Sequence, residues 1–127
     1  MTPLWQLSAT DQAAGVSDGN FTATALVESV LGRVAQKNPE LNAIVDPMGE
    51  TALLAAQKAD NAVVGGRKLG PLHGVPVTIK VNVDTKGRPT TNGMEAFKDV
   101  IAPDNSPLVQ NLLNAGAIII GRTNTPE

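Results

Sequence analysis

Strand and helix patterns alternate along this chain, and that alternation predicts an α/β fold. Three observations carry the prediction. The first is a period-two run: Val75, Val77, Ile79, Val81 and Val83 share one side of an extended chain, and Pro76, Thr78, Lys80, Asn82 and Asp84 share the other. The second is the wholly apolar Ala117-Ile118-Ile119-Ile120. A run so short and so apolar reads as a strand buried on both faces, as in a parallel sheet. The third is the helix signature that lies between the two, which makes a βαβ unit.

The remaining elements follow in order. Thr2-Pro3 caps and starts a short helix with Leu4, Leu7 and Ala14 on its apolar side, and Gly15 to Asn20 is a loop by composition. Thr22 caps the next helix, whose face is Leu26, Val27, Val30, Leu31 and Val34; Pro39 is expected to stop it soon after Lys37-Asn38. Leu41 to Val45 reads as a brief strand and Asp46-Pro47 as a turn or helix start. A helix through Thr51 to Ala62 turns Leu53, Ala56 and Ala59 inward, and its alanines favour it intrinsically. Val64 to Pro71 is a loop. Its glycines precede a strand rather than a helix N-terminus, which argues against a phosphate cradle. Thr85 to Met94 is a polar loop leaving the Lys80 strand, and Glu95 to Ala102 carries no clear pattern. Asn105 or Ser106 caps a helix with Pro107 at its first position and Leu108, Val109, Leu112 and Leu113 as its stripe; Gly116 ends it.

Composition narrows the function classes. At 127 residues with 42% hydrophobic content the chain has the composition of one globular domain. Aromatics are 2%, so the core must come from Val, Leu, Ile and Ala. A net charge of −2 with no basic patch argues against a nucleic-acid or anionic-membrane surface. Without cysteine there is neither a disulfide framework nor thiol chemistry. A single histidine, His73, and scattered carboxylates offer no metal-ligand spacing; His73 reads as a loop or packing residue. Asp46, Asp84 and Asp104 read as turn and cap residues. No signal peptide and no bilayer-length apolar run is seen, which points to the cytoplasm. A buried-type strand near the end needs neighbours that these residues scarcely provide, so the expectation is the front part of a larger domain.

Gly70-Pro71-Leu72-His73-Gly74-Val75-Pro76-Val77-Thr78-Ile79-Lys80 resembles the lysine-bearing strand of the amidase signature family. Leu41-Asn42-Ala43-Ile44-Val45, Pro89-Thr90-Thr91-Asn92-Gly93 and Ala115 to Glu127 follow in the family's order, so the resemblance covers essentially the whole chain. It implies an α/β/α domain around a mixed central sheet flanked by helices, of which residues 1–127 are the N-terminal part. It also implies a Ser–cis-Ser–Lys amide hydrolase in which Lys80 is the triad lysine. Ser8, Ser17, Ser29 and Ser106 match no serine motif of the family, so the serine-bearing remainder is expected beyond this truncated stretch. Val81 stands where an acidic residue commonly follows the lysine, and Asn105 where an aspartate commonly opens the later helix.

The chemistry implied is acyl transfer to water. A serine hydroxyl needs a base to remove its proton, and a lysine serves only when neutral, a state that loss of water around it promotes. The cis-serine relays the proton and backbone N–H groups hold the oxyanion. No metal and no organic cofactor is implied; the partner is a small-molecule amide, and a homo-oligomer stays open. Thr91, Asn92 and Gly93 are candidates to line the pocket near Lys80. Thr123 and Asn124 are further candidates, because open α/β sheets place ligands at strand C-termini. Two rival readings are the amide-hydrolysing component of a tRNA-dependent amidotransferase and, for these 127 residues alone, a non-catalytic binding or interaction module.

Overall fold

The computed structural model describes residues 2–90 and 101–124. A 3-10 turn at Leu4–Gln6 leads into α1 (Ala9–Ser17), α2 (Ala23–Leu41), β1 (Ile44–Pro47), α3 (Gly49–Val64), β2 (Pro76–Lys80), α4 (Pro107–Asn114) and β3 (Ile118–Thr123). The strand order is β1-β3-β2. β3 pairs parallel with β2 and antiparallel with β1, so the sheet is mixed and its central strand is the all-apolar run. The βαβ unit is β2–α4–β3. The α/β class expected from the sequence is present.

Successive side chains of β3 face opposite layers. Ile118 and Ile120 join Leu26, Val27, Ala52, Ala56 and Val16 under α1, α2 and α3. Ile119 joins Ile79, Met48 and Val109 on the other side, with Val77, Val83 and Leu112 packed against them. The strand is therefore covered on both faces, as its composition requires. The small alanines of α3 let that helix lie close to α2 and the sheet.

The parallel register is set by the loop before β2. Leu72 N–H donates to Ala115 O at 2.9 Å and Gly74 N–H to Gly116 O at 3.0 Å, lacing residues 70–74 to the turn that enters β3. Gly116 sits at φ +97°, and a Cβ there would lie 2.7 Å from His73 Cα, so the turn admits only glycine.

Several expectations are corrected. The first helix is split: the 3-10 turn is separate, and α1 is capped by Ser8, whose side chain accepts from Asp11 N–H. Residues 15–17 belong to α1 rather than to a loop, because Gly15 makes room for the Phe21 ring against the helix. Thr22 caps α2 as expected, but Pro39 does not end it. The helix runs on to Leu41 and closes on Asn42, which takes the left-handed conformation (φ 49°) and donates to Asn38 O. Asn38 also exchanges two side-chain hydrogen bonds with the Ile44 backbone, holding that last turn from outside. Asp46-Pro47 belongs to β1, and α3 is longer than expected at both ends. Of the two expected caps of α4, Ser106 is the one used, its side chain accepting from Val109 N–H. Of the α4 stripe, Val109 is buried, whereas Leu108 and Leu113 are exposed. Of the polar loop expected at 85–94, residues 91–94 lie outside the described residues.

Candidate active site

The run expected as one strand from Val75 to Asp84 is two different things. β2 ends at Lys80, and residues 81–83 turn away. The alternation of burial nevertheless persists: Val75, Ile79 and Val81 are buried, while Thr78, Lys80 and Asn82 are exposed. Lys80 is thus the last residue of β2, exposed at the C-terminal end of a parallel strand pair. Asn82, expected as its same-face strand neighbour, lies in the turn.

Lys80 and Thr123 are register partners across β2 and β3. Val81 N–H donates to Thr123 O at 2.8 Å, so the end of each strand fixes the other. Thr123 is half-buried beside Lys80; Asn124, one residue on, is exposed, and its backbone N–H donates to Ala43 O at 2.9 Å. Thr91, Asn92 and Gly93 lie outside the described residues. His73 is a packing residue: its Nε2 lies 2.9 Å from Ala59 O, in hydrogen-bond contact with α3. Asp84 accepts from Thr90 Oγ1 at 2.6 Å, and its carbonyl accepts from Ser106 N–H, a turn role as expected.

One charged cluster went unread in the sequence. Arg122 follows the apolar run within β3 and is fully buried. Its Nη2 donates to Val81 O at 2.8 Å and Val83 O at 2.9 Å, and its Nη1 donates to Pro89 O. Asp46 is not a turn residue. It is half-buried in β1, with one oxygen 3.0 Å from Arg88 Nη1 and the other 3.7 Å from Arg122 Nη1. Burial lowers the Arg122 pKa from the usual arginine value, and the Asp46 carboxylate opposes that shift. Gly121 makes the arrangement possible, since a Cβ there would meet Ile44 Cγ2 at 2.7 Å and keep β1 away. The signal available in the sequence was an arginine two residues after the all-apolar run, where a strand buried on both faces that runs on would not tolerate an unpaired charge.

A mixed sheet whose central strand is covered on both faces, with an exposed lysine ending the neighbouring parallel strand, makes this an α/β protein. The Amidase family model matches residues 25–127, and the chain belongs to that family. It is 53% identical over 125 residues to an indoleacetamide hydrolase of Bradyrhizobium diazoefficiens, covering 98% of this chain and 24% of that protein. It is 36% identical over 127 residues to a glutamyl-tRNA(Gln) amidotransferase subunit of Chloroflexus aurantiacus, covering 100% of this chain and 26% of that one. A bacterial aryl acylamidase of the amidase signature enzymes superposes with a TM-score of 0.92 at 26% identity, over 98% of this chain and 26% of that structure. The chain therefore spans about a quarter of the length of the relatives it matches. No helix among the described residues is long and apolar enough to cross a membrane.

Proposed function

We propose that the protein hydrolyses a small carboxylic amide to an acid and ammonia or an amine, with Lys80 as general base of a Ser–cis-Ser–Lys triad whose serines lie beyond residue 127. The observation that carries this reading is the position of Lys80 in a chain of the amidase family: the last residue of β2, exposed at the strand C-terminus beside Thr123. Such strand ends are where open α/β sheets take ligands.

In the proposed reaction the serine oxygen attacks the amide carbon while its proton passes through the cis-serine to Lys80 Nζ. Collapse of the tetrahedral adduct breaks the C–N bond, and the departing nitrogen takes that proton. Water then attacks the acyl-serine by the same route in reverse. Among these residues Lys80 is exposed. The water exclusion that a lysine base requires is therefore assigned to chain beyond them. Thr123 and Asn124, and Thr91, Asn92 and Gly93, are proposed to line the pocket.

The 53% identity to an indoleacetamide hydrolase favours an arylacetamide as substrate. The amidotransferase reading draws on the lower identity of 36% and finds no basic patch to support it.

The test is kcat/KM of the whole protein on indoleacetamide for wild type, Lys80→Ala and Lys80→Arg, with melts as a fold control. Loss of general-base assistance lowers the rate about 10²–10⁴-fold. Arginine keeps the charge but accepts no proton, so it does not rescue. A Lys80→Arg enzyme within about threefold of wild type, less than ~1 kcal/mol, removes Lys80 as base.

A further inference from the structure

The turn that leaves β2 is held from both sides directly after Lys80. Val81 N–H is taken by Thr123 O at 2.8 Å, and Val83 N–H returns to the Lys80 carbonyl at 3.0 Å. The carbonyls of Val81 and Val83 point the other way and would be orphaned at the end of a buried strand, where an unpaired carbonyl costs about 1–3 kcal/mol. One guanidinium nitrogen of Arg122 satisfies both, and the other reaches Pro89 O. A single buried side chain of β3 thus grips three carbonyls of the segment that follows the candidate base. Asp46 of β1 stands behind it at 3.7 Å, and Arg88, from the gripped segment itself, closes on Asp46 at 3.0 Å. The planar fork matters, because it places donors on several acceptors at fixed angles where a lysine offers one point charge.

We propose that Arg122, seated on Asp46, is a positioning residue for Lys80. It fixes where β2 ends and so where the Lys80 side chain leaves the sheet. The inference rests on the reading of Lys80 as base. It adds that the base is aligned by a buried cation that does not itself touch substrate. Alignment matters at this scale, because a displacement of about 1 Å at a reacting group costs roughly 10²-fold in rate.

The experiment is a double-mutant cycle on the whole protein with indoleacetamide. Arg122→Gln, Arg122→Lys and Asp46→Asn are each made alone and with Lys80→Ala, and kcat, KM and the melting temperature are measured. Arg122→Gln is expected to lower kcat about tenfold or more with KM within about threefold, and Arg122→Lys to recover part of that loss. In the Lys80→Ala background the same substitutions are expected to change the residual kcat less than about twofold, since there is no base left to misplace. An equal drop in both backgrounds marks a merely structural residue and overturns the proposal. So does an unchanged kcat in Arg122→Gln. Should the glutamine variant not fold, Arg122→Lys and Asp46→Asn carry the same comparison. Lys80→Ala alone decides the base reading: near-wild-type activity there overturns both, whereas a strongly impaired Lys80→Ala with additive Arg122 effects on its residual kcat overturns only the positioning role.

Discussion

Asp60 offers a sharp test of how the helical layer is held. Its carboxylate, on α3, accepts from Ala23 N–H at 2.6 Å, Thr24 N–H at 3.1 Å and Thr24 Oγ1 at 2.6 Å. A helix leaves its first four N–H groups without intrahelical partners. In α2 Asp60 takes the first two of the helix, those of Ala23 and Thr24, and the Thr22 hydroxyl takes Ala25 N–H; the intrahelical ladder then begins with Leu26 N–H on Thr22 O. The negative charge also sits at the positive end of the helix dipole. Asp60→Ala removes three hydrogen bonds and the charge. A lost cap costs about 1 kcal/mol, the dipole contributes about 0.3–1, and a second stranded donor adds about 1, with water recovering some of it at a half-buried site. The expected cost is about 2–3 kcal/mol. Hydrogen exchange of the peptide spanning the first turns of α2 reads it locally, as an acceleration of about 30- to 150-fold. Asp60→Asn keeps one acceptor and should fall between wild type and Asp60→Ala. Acceleration below about threefold in Asp60→Ala would refute the claim that the carboxylate is the cap.

The remaining predictions concern the turn, the isolated chain and its edges. Gly116→Ala is expected to lower stability by about 2–4 kcal/mol, because φ +97° and a contact at 2.7 Å with His73 Cα both oppose a side chain; an unchanged melting temperature would count against it. Residues 1–127 expressed alone are expected to turn over no amide, since none of their serines lies in a matching motif; turnover that is lost on Lys80→Ala would contradict this, whereas turnover that survives it marks a contaminant. The same chain is expected to self-associate, because among the described residues the outer edges of β1 and β2 are unpaired and Leu108 and Ile101 are more than half exposed. A sharp monomer in sedimentation at about 10–50 micromolar, with cooperative unfolding, would speak against that.

What the sequence determined by itself is whatever local chemistry controls. The period-two run placed Lys80 on the exposed side of a strand, because alternation is a property of the extended backbone. The all-apolar Ala117 to Ile120 run predicted a strand buried on both faces, and Thr22, Pro107 and Gly116 marked helix ends by capping and backbone freedom. The motif order around Lys80 reached the family. Tertiary structure decided the rest, wherever a distant partner outweighs a local preference. Pro39 failed to stop α2 because the last turn closes on Asn42, left-handed and bonded to Asn38 O, and the Asn38 side chain ties that turn to the Ile44 backbone beyond the helix. β2 stopped at Lys80 although the alternation ran on, because Arg122, some forty residues later, captures the carbonyls of Val81 and Val83. Asp46 looked like a turn residue because nothing near it in sequence reveals the two arginines, 42 and 76 positions away, that it serves in the fold. A buried charge is legible only with its partner, and the partner is set by the sheet order that brings β1 and β3 together.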